Sequence, residues 1–266
     1  MDRLSKVEID GQQYYVAEGD TLLDEDQFMV YAFNREKAEE ARQAGLTAEA
    51  AGLGTVSLAQ PQQAALLGIL QGGQLVRWMP GVVLSYRVVR NTFTSQARYE
   101  LVVGHMAEAA QAWAQTCGVE FQHRADLDKA PGVGPAGALM AVREFHEGRF
   151  IAAAFFPNDP ADRRRILINP SFFAEDLSYD RTGVLRHELG HVLGFRHEHI
   201  RSGAPPACPD EDQFDTLDLT AFDPQSVMHY FCGGMGSRDL KISEVDKQGA
   251  QQVYGLPLDR YFMVDV

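Results

Sequence analysis

His187 and His191 stand four residues apart in His187-Glu188-Leu189-Gly190-His191. On a helix that spacing puts both imidazoles on one face, where the pair can bind one zinc ion. Glu188 projects beside such a site. It is placed to take a proton from zinc-bound water and not to ligate the metal. Leu185, Leu189, Val192 and Leu193 supply apolar surface that would bury the helix and fix the ligands. A third ligand six residues after the second cannot reach the same ion along a continuing helix. Gly194 accepts the left-handed conformation that ends a helix, and a turn through Gly194-Phe195-Arg196 can return His197 to the metal. Three histidines leave a fourth position for water, which is the catalytic arrangement and not the closed structural one. His105, His123 and His146 fall on expected regular elements and read as surface or satisfied core residues. His199 reads as a polar neighbour.

Residues that do chemistry need elements to hold them. Residues 181–194 are helical by apolar spacing and stop at Gly194. Upstream, residues 82–89 are rich in β-branched and aromatic side chains and read as a strand. Leu101, Met106, Ala109 and Trp113 mark a helix over residues 94–115. Four further short strands are expected within residues 119–126, 138–145, 150–157 and 165–173, and an amphipathic helix within 243–255. Strands with one helix among them, then a central helix and a loop-rich end, predict an α+β domain. Residues 1–75 differ in texture: a strand-like start, an acidic stretch, an Ala/Glu-rich helical segment and a Gln/Gly-rich passage. They are expected to be a prosegment or accessory layer, with residues 76–266 as the catalytic domain. The Gln/Gly-rich passage over residues 60–75 is the expected cleavage zone.

The chain has 266 residues and a net charge of -13, which gives it little reason to seek nucleic acid or an anionic membrane. No apolar run approaches the roughly 20 residues that span a bilayer. Arg163-Arg164-Arg165 reads as a solvated turn. The first residues lack the apolar core of a signal peptide. Of three cysteines, Cys208 and Cys232 either pair or stay free according to the redox compartment, and Cys117 is left unpaired near a helix end.

His187-Glu188-x-x-His191-x-x-Gly194-x-x-His197 resembles the zinc signature of metzincin metallopeptidases. Ser226-Val227-Met228-His229-Tyr230 resembles their Met-turn, in the form found in astacins, and residues 194–202 resemble the astacin continuation. Residues 150–157, 109–121 and 243–255 are similar to matrixins instead. The resemblance implies a mixed, mostly parallel five-stranded sheet, a long active-site helix and a loop-rich C-terminal subdomain. It implies a zinc-dependent endopeptidase with one Zn²⁺, with His187, His191 and His197 as ligands and Glu188 as general base. Met228 would form the floor of the site and Tyr230 would donate to the oxyanion. Protein or peptide substrates would add along an edge strand near Ile151–Phe156. Glu198 resembles the buried glutamate that receives the N-terminus of activated astacins. Astacin prosegments carry Phe-x-Gly-Asp, whose Asp takes the water position on zinc. Ala17-Glu18-Gly19-Asp20 keeps the Gly-Asp and lacks the Phe, so Asp20 is the candidate blocking residue of a latent precursor. The resemblance favours a secreted or extracellular protein; a monomer is the expected oligomeric state. The competing expectation is a non-catalytic zinc-containing module of the same fold that binds peptides.

Overall fold

The computed structural model describes residues 4–43, 56–57, 64–200 and 216–260. In chain order its strands and α-helices are β1 (Ser5–Ile9), β2 (Gln12–Ala17), β3 (Thr21–Leu23), α1 (Glu25–Gln43), β4 (Val56–Ser57), β5 (Ala64–Gln71), β6 (Gln74–Leu75), β7 (Val83–Val88), α2 (Gln96–Ala114), β8 (Glu120–His123), β9 (Met140–Glu144), β10 (Ala152–Ala153), β11 (Arg165–Ile168), α3 (Arg181–Val192), β12 (Phe195–Arg196), β13 (Thr216–Thr220) and α4 (Glu244–Tyr254).

A five-stranded sheet in the order β10-β11-β9-β7-β8 organises the α+β architecture. Strands β11, β9, β7 and β8 run parallel, and β10 pairs antiparallel to β11 at the edge. Every residue of β9 and β11 is buried, as expected of parallel strands covered on both faces. Side chains alternate between those faces. Ile166, Ile168, Ala152 and Ala154 point into the main core with Trp113, Met106 and Leu189. Leu167 and Ala153 point the other way, into a second cluster with Val7, Ile9, Tyr14, Val16 and Phe150. Helices α2 and α3 thus cover one face, and the small sheet β1-β2-β3 covers part of the other. The Trp113 indole N–H donates to the Arg186 carbonyl at 2.8 Å, tying α2 to α3.

Three local expectations change. The strand expected across 150–157 pairs regularly only at Ala152–Ala153. The one expected across 165–173 stops at Ile168, where the Asn169 side chain caps a 3₁₀ turn over Pro170–Phe173. Arg163-Arg164-Arg165 is not a freely solvated turn. Arg163 is ion-paired with Asp24, Arg164 lies over the Trp78 ring, and Arg165 is buried near Asp10 and over the Tyr14 ring.

The passage before residue 76 also holds more structure than its composition suggests. Strand β5 lies between β12 and β13 in a second sheet, with Leu66 and Leu67 fully buried. It turns into β6 through Gly72-Gly73, both at positive φ, a two-residue hairpin turn of the kind glycines make readily. Among the described residues, no helix is long and apolar enough to cross a membrane.

Candidate metal centre

Helix α3 begins at Asp180, whose carboxylate accepts the Gly183 N–H at 2.7 Å. One turn of this helix separates His187 from His191, and both are buried. The helix ends at Val192 and the chain turns at Gly194, which has φ 91°, and a Cβ there would lie 2.9 Å from the Val76 carbonyl. Only glycine suits both the dihedral and the space. The chain then enters β12, antiparallel to β5, with Phe195 opposite Gly68 and Arg196 opposite Leu67. That reversal delivers His197, fully buried, to the other two histidines.

Nε2 of His197 lies 3.0 Å from Nε2 of His187 and 3.2 Å from Nε2 of His191. The outer nitrogens decide what this means. Nδ1 of His187 donates to the Val227 carbonyl and Nδ1 of His191 to the Phe195 carbonyl, each at 2.8 Å. Nδ1 of His197 faces the Glu18 carboxylate at 3.1 Å. These acceptors hold the proton on Nδ1, so three bare Nε2 lone pairs converge on one point. Burial first, then the neighbouring imidazoles, keep His191 and His197 well below the usual histidine range and therefore neutral. Asp20 completes the cluster: one oxygen from it and one nitrogen from each histidine lie within 4.8 Å of one another. Four convergent acceptors without a cation would repel. The donor set fits a divalent ion that favours imidazole, with zinc the foremost candidate.

Glu188 is 2 % exposed, and its Oε2 has no hydrogen-bond partner among the described residues. Burial, together with the adjacent Asp20 carboxylate, raises its carboxyl well above the ordinary carboxylate range. The Tyr230 phenol donates to Asp20 Oδ2, and its ring stacks on His187 at 5.0 Å. Met228 is fully buried, with its sulfur against Gly190. The Met228 carbonyl accepts the Glu198 N–H at 2.9 Å. Glu198 Oε1 accepts the Asp223 N–H at 2.9 Å. The His199 ring tilts against His197 at 4.8 Å and stays outside the convergent set. His105 contacts Thr182, His123 contacts Asp128, and His146 lies on the surface near Glu144.

Sequence reasoning missed two residues of this site. Glu18 is buried with φ 55°, pairs with Arg196 and faces His197. The β2–β3 turn that carries it also carries Asp20. Asp246 accepts from Ser226 Oγ at 2.6 Å, Val227 N at 2.8 Å and Ser243 N at 2.9 Å, and so joins α4 to the turn whose carbonyl orients His187. The capping pattern Ser243-x-x-Asp246 ahead of an apolar run was its only local signal.

A cavity of about 290 Å³ opens beside His187, Glu188 and Tyr230, lined further by Ile151, Val184 and Leu240. Strand β10 runs along it, and the Phe156 ring meets His191 edge-on at 5.2 Å. Cys232 is disulfide-bonded, whereas Cys208 lies outside the described residues. Cys117 is free, and burial pushes its thiol up to about 12, far from a reactive thiolate.

No family model matches the chain. It is 29% identical over 119 residues to matrix metalloproteinase-16 of Rattus norvegicus and of Homo sapiens, a match covering 42% of this chain and 15% of the length of those proteins. Among solved structures it is similar to myroilysin, at a TM-score of 0.46 and 17% identity, covering 67% of this chain and 95% of that one. It is also similar to high choriolytic enzyme 1, a hatching-enzyme zinc protease of the medaka fish Oryzias latipes. There the TM-score is 0.41 and the identity 18%, covering 66% of this chain and 90% of that one.

Proposed function

We propose that the chain is a zinc-dependent endopeptidase of metzincin type, closest to the astacins, held latent by its own N-terminal segment. One observation carries the reading. Three imidazoles converge through their Nε2 atoms beside a buried Glu188 whose carboxyl is raised well above the ordinary carboxylate range. A single zinc ion held by His187, His191 and His197 would supply a Lewis acid that polarises a scissile carbonyl and acidifies water.

The chain's own groups do the rest. Glu188 takes a proton from the attacking water and carries it to the leaving amine, a role suited to a carboxyl whose pKa is raised toward the working pH. The Tyr230 hydroxyl now donates to Asp20. Once Asp20 has left, the same hydroxyl is free to donate to the developing oxyanion. An extended protein or peptide substrate pairs along the β10 edge of the sheet, beside the histidines. In the latent protein Asp20 takes the position that water needs, anchored through Glu18 and Arg196.

The test is zinc analysis of the purified protein and casein digestion before and after limited proteolysis of the N-terminal region. Stoichiometric zinc with activity that appears on cleavage is expected. Zinc-loaded, trimmed protein that cleaves no peptide in a diverse library would defeat the enzymatic reading and leave a peptide-binding module.

A further inference from the structure

We propose that strand β5 belongs to the catalytic unit as the element that positions His197, and that the removable latch ends upstream of Ala64. The proposal rests on the latent-peptidase reading and moves its boundary.

The third ligand has little of its own to hold it. Between Gly194 and His197 the chain makes only the two-residue strand β12, and among the described residues β5 is the neighbour it pairs with. Ile69 N–H donates to the Gly194 carbonyl at 3.1 Å, and Phe195 and Arg196 sit opposite Gly68 and Leu67. The same hairpin walls the turn. Val76 N–H donates to the Ile69 carbonyl at 2.8 Å, and the Val76 carbonyl is what a Cβ at Gly194 would strike. On its far side β5 pairs with β13, and Leu66 packs into the main core against Gly249 of α4. Removing β5 would break ladders on both sides and leave the reversal before His197 without a template.

The segment before it is attached differently. Strands β1, β2 and β3 pair only among themselves, among the described residues. They meet the large sheet face to face through Val7, Ile9 and Tyr14, and through the ion pairs of Asp10 with Arg143 and Asp24 with Arg163. That unit can leave without breaking a strand ladder.

Full-length protein with a site-specific protease sequence inserted either between residues 48 and 49 or within the Gly72-Gly73 turn separates the two possibilities. After cutting the folded protein, fragments are resolved by gel filtration in mild urea and zinc is measured in the C-terminal piece. The upstream cut is expected to release residues 1–48 with zinc retained. After the downstream cut, residues 1–72 are expected to co-elute with the remainder, or to separate only with loss of zinc. A free fragment from residue 73 onward that keeps its zinc would overturn the proposal. So would failure to separate residues 1–48 without losing metal. Released protein that holds zinc yet cleaves nothing defeats the peptidase reading and leaves this boundary standing.

Positioning is read separately in the full chain through Gly68→Val. A Cβ at Gly68 would lie 2.6 Å from Leu75 Cδ1 and 3.1 Å from Leu219 Cδ1, pushing β5 away from its registered place opposite Phe195. A tenfold or greater loss of zinc affinity is expected, with an altered cobalt(II) visible spectrum, although no ligand is touched. Leu75→Ala in the same chain should restore both. An unchanged affinity and spectrum in the single variant, or no recovery in the double variant, would refute the positioning role.

Discussion

The Asp20 carboxylate lies 3.2 Å from Nε2 of His197, on a turn whose neighbouring Glu18 grips the opposite edge of the same imidazole. The N-terminal segment therefore meets the third histidine from both ends of its ring. The contact at Nε2 would compete with whatever else approached an ion held there, and the contact at Nδ1 orients the ring. Replacing Asp20 by Ala removes the first and leaves the second. Uncut Asp20→Ala protein should show a roughly ten- to hundredfold higher rate of peptide hydrolysis than uncut wild type, in line with couplings of about 1–3 kcal/mol between a blocking group and a site. Zinc content should not change. Rates measured with a quenched fluorescent peptide decide the matter, and equal rates would show that Asp20 does not block.

Glu188 and Tyr230 should separate by kinetic signature. Glu188→Gln keeps the size of the side chain and removes the base, so turnover of the trimmed protein should fall by about 10²–10⁴ with zinc retained. Tyr230→Phe removes one donor to developing charge. It should lower kcat by roughly 10²–10³ and change KM little. Retention of full activity in Glu188→Gln would remove the proposed chemistry.

Gly190 sits between the two helical histidines for a packing reason. A Cβ there would overlap Met228 Sδ and come within 3.2 Å of its Cε and 3.4 Å of Trp113 Cζ2. Gly190→Ala should therefore destabilise the fold by about 1–3 kcal/mol, despite alanine's better helix propensity. Urea unfolding with zinc saturating measures it. A stabilised variant would mean that Met228 relocates freely and is not a fixed floor.

Asp246 should leave a mark on the pH dependence of stability. Burial pushes its carboxyl up to about 6 from 3.8, against the pull of three donors. Between those values the folded protein holds the proton more tightly than the unfolded chain does. This group's contribution to stability is therefore fully present at the acid end and falls as pH rises through about 4 to 6, by roughly 3 kcal/mol at most. Asp246→Asn can keep the contact to Ser226 and cannot ionise. The Tm of the variant relative to wild type should thus rise across that window and stay level above it. A constant difference from pH 4 to 7 would contradict the assignment.

Much of the site was legible because it is local. The i, i+4 pair needs only helical geometry, and the third histidine needs only a glycine that can turn the chain. Gly19-Asp20 was visible through its resemblance to an astacin prosegment. β5 was not, because Ala64-Ala65-Leu66-Leu67-Gly68-Ile69-Leu70 has neither strict alternation nor many β-branched residues. Its strand character comes from pairing with β12 and β13, which lie more than a hundred residues away in the chain. Arg163–Arg165 misled for a similar reason. Their partners Asp24, Asp10 and Tyr14 belong to a segment that only folding brings near.

By itself, then, the sequence determined the candidate ligand set, the neighbouring acid and the turn that brings them together, since short-range spacing decides those. Tertiary structure alone decided that Glu18 and Asp20 meet His197, that Asp246 carries the Val227 carbonyl to His187, and that β5 underlies the turn. Each of these contacts joins groups distant in the chain. They form only because burial of the two apolar clusters supplies the free energy to bring them together.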